Sequence, residues 1–400
     1  MKRFTAIIIT ALLLLNGMTG CTSDLQTAAD KNESDLQSQF LLEPKSAPDG
    51  KPYRIAVVDI DPYEPASQLF YNFVERLWEL GWISFDKMPI KETDEIKEMV
   101  KVLASMDLGG YVSFDENLCY YMLYDEMGAI EASLKDAAKS DEGLDLILGM
   151  GTDPGLFVKD MNLDVPLLVP MATDPVASGI IESVENSGNP NIWALVEPNP
   201  MGRQLNYYNN MIKMKTIGMV VEKDSQDVAA IGIYEEAAEE LGIKVVKKEI
   251  SAQLLTDNPA AYYAELKQDY IDMAEKEEID AFLLTINVIN DPDYCKDLFQ
   301  PFYDAKIPVL VSDGDVYVEY GGLLCVSSYD YRGYGTFTAD VASTVFNRVD
   351  AGILPCEYLS SPHIVLNLDI AEKTNFPLGF RLLQSCDKLY SDKGGVNNVN

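Results

Sequence analysis

The chain has 400 residues and a formal net charge of −33, from 64 acidic against 31 basic side chains. That balance argues against a nucleic-acid partner, because binding one needs a basic face that displaces counterions. A single histidine and the lack of any C-x-x-C pair leave no histidine or cysteine cluster of metal-binding spacing.

Residues 1–20 read as a signal peptide: Lys2 and Arg3, then an apolar run from Ala6 to Leu15, then small residues up to Gly20. The run is too short for a span, which takes about 20 apolar residues. Cys21 stands directly after Gly20, and the segment resembles the bacterial lipobox. That resemblance implies lipidation of Cys21 and an exported protein anchored to the outer face of the cell membrane, or to the periplasmic face in a two-membrane cell; several acyl chains hold a protein stably where one does not. Thr22 to Gly50 is rich in Ser, Asp, Gln and Lys. It reads as the remainder of a flexible tether over 21–50, since it has too little apolar surface to fold alone. The other cysteines, at 119, 295, 325, 356 and 386, are widely scattered and read as mostly buried free thiols. Export permits a disulfide without saying which.

From Lys51 to Tyr390 the body is too large for one simple core, so two lobes are expected. Arg54 to Ile60 is a β-branched run, and Leu69, Phe70, Phe73, Val74, Leu77 and Trp78 then lie on one helical face that Gly81 terminates. Gly109 to Tyr124 reads as an inserted hairpin around Asp115-Glu116-Asn117. Further strand-like runs are Leu144–Leu148, Val165–Val169, Thr216–Val221, Lys244–Ile250, Ala281–Ile286, Pro308–Val311 and Leu323–Val326. Helical patterns over Val228–Leu241, closed by Gly242, and Tyr262–Glu278 lie among them. Strands alternating with helices predict an α/β fold of parallel sheets covered on both faces. Glu197-Pro198-Asn199-Pro200 breaks the rhythm and marks the first crossing between lobes.

Ligands of open parallel sheets sit beyond the carboxyl ends of the strands. The loops there carry Tyr63, Thr152, Thr173, Asp174, Ser178, Asn287, Asp313, Asp330 and Tyr331. Two Thr-Asp-Pro triplets, at Thr152 and Thr173, suit helix starts, because Thr and Asp cap free amides and Pro fits the first turn. The same amides bind anions, so capping and ligand contact are compatible. Enzyme signatures are missing: His363 stands alone without a G-x-S-x-G elbow, and there is neither a Walker loop nor a G-x-G-x-x-G. Acid pairs such as Asp59 with Asp61, or Asp313 with Asp315, are expected by chance in so acidic a chain.

Val165-Pro166-Leu167-Leu168 running into Ala172-Thr173-Asp174-Pro175-Val176-Ala177-Ser178-Gly179 resembles the first-lobe signature of the tryptophan-binding-like group of ABC-transporter solute-binding lipoproteins, which have the type I periplasmic-binding fold. Thr216 to Val221, Glu240 to Val246, Lys306-Ile307-Pro308-Val309, Tyr329-Asp330-Tyr331 with Gly335, and Asn367 before Ala371 with Pro377-Leu378-Gly379 follow in the same order. The hairpin-like stretch, Asn189 to Pro200, and Asp313-Gly314-Asp315 depart from that pattern.

The resemblance implies two α/β lobes, each a parallel sheet flanked by helices, with a ligand cleft between them that closes by a hinge. The first lobe is then 53–195 plus 325–352, the second 196–324 plus 353–390, with a tail at 391–400. It implies a monomeric receptor that is no enzyme and needs no cofactor, with a small-molecule ligand and an ABC permease and ATPase as partners. An aromatic or apolar amino acid is the implied ligand: Thr152, Thr173 and Ser178 as donors to its carboxylate, Asp174, Asp313 or Asp330 as acceptors for its ammonium, Tyr63, Tyr329 and Tyr331 as ring faces. Arg332 would pair with Asp330 or meet an anionic solute. A sensory lipoprotein docking on a membrane receptor and a surface hydrolase are the alternatives.

Overall fold

A computed structural model describes residues 40–223, 226, 229–286, 288–327, 329–391 and 397–398. Cys21 and the leader lie outside the described residues. The chain forms two units: one holds the residues up to Pro198 together with Tyr331–Leu359, the other Asn199–Asp330 and the residues from Ser360 on.

The first unit is built on strands β1 (Tyr53–Asp59), β2 (Val112–Tyr121), β3 (Leu146–Met150), β4 (Leu167–Val169) and β5 (Ile192–Ala194), ordered β2-β1-β3-β4-β5 and parallel throughout. A parallel sheet is covered on both faces, which is why β3, Leu-Ile-Leu-Gly-Met, is buried at every position. The helix Glu64–Glu79 buries Leu69, Phe70, Phe73, Val74 and Leu77, and Gly81 at φ 80° turns the chain out of it. The helix Tyr331–Phe346 packs along it. At the partly buried edge of that contact Arg76 Nε donates to Asp340 Oδ1 at 2.9 Å.

Three sequence expectations change here. Gly109 to Tyr124 does not form a hairpin. Val112–Tyr121 is one strand parallel to β1, whose register jumps from Ile55 opposite Phe114 to Val57 opposite Cys119. The residues in between bulge because Asp115 takes the Arg54 guanidinium and accepts from the Asn117 amide, so the polar triplet loops out. Residues 40–50, assigned to the flexible tether, are packed: Phe40 lies edge-on to Phe337, Leu41 N donates to Thr344 Oγ1, Trp82 Nε1 donates to the Leu42 carbonyl, and Asn347 Nδ2 donates to the carbonyls of Leu41 and Glu43. The boundaries between units also move. Val196 extends the first sheet, donating to the Cys356 carbonyl and accepting from Tyr358 N, so the chain stays in the first unit to Leu359 rather than leaving at Ile353.

The second unit holds β6 (Thr216–Glu222), β7 (Lys244–Ile250), β8 (Ala281–Leu284), β9 (Val309–Val311), β10 (Leu324–Ser327), β11 (His363–Asn367), β12 (Lys388–Tyr390) and β13 (Asn397–Asn398), ordered β13-β12-β11-β10-β9-β8-β6-β7. From β7 to β10 the pairing is parallel; β11 runs antiparallel to β10. Because β10 lies between β9 and β11, Cys325 belongs to this unit and not to the first lobe. The core gathers Tyr262, Leu266, Tyr270 and Met273 of the helix Pro259–Lys276 over β8, with Phe282 and Phe302 stacked at 4.4 Å. The cysteines at 119, 295, 325, 356 and 386 are buried free thiols.

Candidate functional site

In the first unit β1, β3 and β4 deliver their loops at the carboxyl edge of the sheet. Gly151, at φ 116°, turns β3 into the helix Thr152–Asp160. Gly149 and Gly155 allow a close approach there: a Cβ on Gly155 would lie 2.9 Å from Val169 of β4. This draws the two Thr-Asp-Pro loops together, and Thr173 N donates to Thr152 Oγ1 at 3.3 Å. The first triplet begins a helix as its composition predicts. The second does not: residues 175–179 form a turn, because Asp174 Oδ1 accepts from the amides of Val176 and Ala177 while Ser178 Oγ donates to the Asp174 carbonyl. Asp174 is thus engaged with its own turn, while Thr173 is exposed.

Tyr63 is exposed at the entry to the helix Glu64–Glu79. Tyr331 opens the helix Tyr331–Phe346, its ring edge-on to Tyr334 at 5.8 Å. Arg332 Nε and an Nη hydrogen-bond Glu92 at 2.8 and 2.9 Å.

Composition hid a further acid. Asp59 ends β1 between Tyr121 and Met150, is only 3% exposed, and its Oδ1 accepts from Ile60 N at 2.7 Å. Its Oδ2 is buried without a hydrogen-bond partner among the described residues. Burial pushes the Asp59 carboxyl up to about 7, opposed by the Ile60 amide and reinforced by Asp61.

In the second unit Asp313 follows β9 and Asp330 lies beyond β10; Asn287 lies outside the described residues. Asp330 N donates to Ser360 Oγ at 3.2 Å. Burial raises the Asp313 carboxyl above the ordinary carboxylate range, the Gly314 amide works against that, and Asp315 adds to it. Asp315 itself is held low by His363 and Lys388, against its own desolvation. His363 lies between Asp315 and Asp387, 3.4 Å from each, and these two carboxylates raise it to about 9.

The loops of this unit rest on side chains that sequence reasoning missed. Gln204 and Tyr208 share the inner face of the helix Pro200–Ile212, one turn apart. Gln204 Nε2 donates to the carbonyls of Ser312 and Val326 at 2.6 and 2.7 Å, and its Oε1 accepts from the Tyr234 hydroxyl. Tyr208 donates to the Val311 carbonyl at 2.6 Å and accepts from Val326 N at 2.9 Å. A glutamine where the helical period calls for an apolar residue was the available signal.

Among the described residues no group of three or more His, Cys, Asp and Glu is placed to hold a metal ion, and no helix is long and apolar enough to cross a membrane.

Residues 129–389 match the family described as ABC transporter substrate binding protein. A tyrosine-binding protein of Clostridioides difficile (strain R20291) is 23% identical over 229 residues, 56% of this chain and 61% of that protein. The matched region thus spans about three fifths of that relative's length. Among solved structures, the ligand-free, open form of a substrate binding protein with adhesive properties from Clostridium difficile superposes with a TM-score of 0.62, at 19% identity, over 84% of this chain and 98% of that one. The ABC domain in complex with L-Trp from Streptococcus pneumonia does so with a TM-score of 0.56, at 17% identity, over 85% and 100%. Both likenesses are likenesses of fold.

Proposed function

The chain belongs to the ABC transporter substrate binding protein family, with the two-unit α/β fold of type I periplasmic-binding proteins, and on that premise we propose that it is a lipid-anchored extracytoplasmic receptor that captures an aromatic or apolar amino acid for import by hinge closure. The observation that carries this reading is the family match over residues 129–389. The relative that binds tyrosine and the fold neighbour in complex with L-Trp favour an aromatic ligand.

The loop chemistry is compatible with that ligand. Thr152, Thr173 and Ser178 offer hydroxyls beside backbone amides for a carboxylate. Asp313 and Asp330 are acceptors for an ammonium, and Tyr63, Tyr329 and Tyr331 offer aromatic faces. Asp174, which caps its own turn, contributes through that turn. Asn287, which follows β8 in sequence, is a further proposed ligand residue. Cys21 is the proposed lipid site, with a permease and ATPase as partners and a monomer as the working form.

The test is calorimetric titration of the twenty amino acids against protein unfolded and refolded to strip resident ligand. Binding of an aromatic amino acid, weakened about tenfold or more by Thr173→Ala, is expected. Binding of a sugar, nucleoside or peptide in place of every amino acid would overturn the ligand class and leave the receptor.

A further inference from the structure

Two loops of the second unit leave neighbouring parallel strands: one after β9 carries Asp313, the other after β10 leads to Tyr329 and Asp330. Between adjacent strands the sheet's own hydrogen bonds end where the strands end, so the spacing of the loops beyond is set by side chains. Gln204, 2% exposed, spans that gap. Its amide donates both hydrogens, to Ser312 of one loop and to Val326 at the root of the other. The Tyr234 hydroxyl fixes which way the amide faces, because only the oxygen of Gln204 can accept from it while the nitrogen serves two carbonyls. Tyr208 repeats the bridge one turn on, between the Val311 carbonyl and the Val326 amide.

We propose that Gln204 is the positioning residue of the ligand loops in the second unit, a clamp that holds the Asp313 loop at a fixed distance from the segment carrying Tyr329 and Asp330. This rests on the reading that those loops meet the ligand. The clamp is buried, so it touches no ligand itself. It acts by making the loops ready before ligand arrives, which avoids the ordering cost that a mobile loop would impose on binding. Each buried carbonyl it serves would otherwise need another donor.

The experiment compares the full chain with its Gln204→Leu and Tyr234→Phe variants by hydrogen exchange without ligand, and by calorimetric titration with L-tyrosine. Gln204→Leu is expected to speed exchange about tenfold or more at Gly314, Asp315, Val326 and Ser327, to leave the amides of β6 and β7 at parental rates, and to weaken L-tyrosine binding about tenfold. Tyr234→Phe, which keeps both Gln204 donors, is expected to do the same with a smaller factor. Parental exchange in both loops of Gln204→Leu overturns the clamp, whether or not L-tyrosine binds. So does acceleration by one common factor across the unit, the mark of general destabilisation. Loosened loops with unchanged L-tyrosine affinity overturn its role in binding. A parent that takes up no L-tyrosine counts against the ligand reading instead, and the exchange data alone then decide the clamp.

Discussion

Gly335 lies so close to Leu69 that a Cβ built on it would stand 2.2 Å from the Leu69 carbonyl oxygen, 2.9 Å from Phe73 N and 3.0 Å from Asn72 Cβ. The helices Glu64–Glu79 and Tyr331–Phe346 therefore touch backbone to backbone at this point. Gly335→Ala must push them apart, and the expected cost is about 2–3 kcal/mol, as for overpacking elsewhere. Urea unfolding of the variant and parent measures it; coincident transitions would mean that the two helices do not meet this closely.

Asp59 predicts a dependence of stability on pH. Its folded value, about 7, lies above the 3.8 of an ordinary aspartate, so the folded state binds the proton more tightly than the unfolded state does. Stability is then lost as pH rises from the unfolded value through about 7 and is level above that. Asp59→Asn keeps an acceptor for the Ile60 amide and cannot ionise. It should stabilise the chain by about 1–3 kcal/mol at pH 8 and by little at pH 4. Denaturant melts at the two pH values give the answer, and an equal effect at both would show that folding does not raise the Asp59 carboxyl.

What the sequence made legible was what local periodicity encodes. The β-branched run of β1, the apolar stripe of Glu64–Glu79 and the glycines at 81 and 242 each announce their structure within a few residues. The bulge in β2 was misread because Asp115-Glu116-Asn117 has turn composition, and only the distant Arg54 makes it a bulge. Residues 40–50 were misread because their partners, Trp82, Phe337, Thr344 and Asn347, lie far along the chain. The site divides likewise: loops after strands pick out Thr152, Thr173 and Asp313, whereas Asp59 matters through burial and Gln204 through distant partners that its place in the helical period flags without naming.

His363 gives the opposite pH signature. Its folded value of about 9 is raised from 6.5 by hydrogen bonds to Asp315 and Asp387. The pairing stabilises fully below the unfolded value and fades as pH rises through about 9. The ring is 43% exposed, so solvent screening limits the gain to about 1 kcal/mol or less. His363→Gln should lower the melting temperature by a few degrees at pH 6 and not at pH 10. A difference that persists at pH 10 would assign the effect to packing.

The packed segment 40–50 makes the last prediction. Phe40 is 7% exposed against Phe337, and the backbone beside it is held by Thr344, Trp82 and Asn347. An apolar ring and four side-chain hydrogen bonds outweigh the entropy of ordering a short strap only if they act together. In the full chain Phe40→Ala should therefore cost about 1–3 kcal/mol and also loosen the hydrogen bond from Trp82 to Leu42, two residues on. Asn347→Ala, which removes donors to Leu41 and Glu43, should cost less. The double variant should cost less than the sum, since the strap is already released by either change. Trp82 fluorescence reports the local step and urea unfolding the global one. Additive losses with unchanged Trp82 emission would mean that the strap is held by independent contacts and that 40–50 is no cooperative part of the first unit.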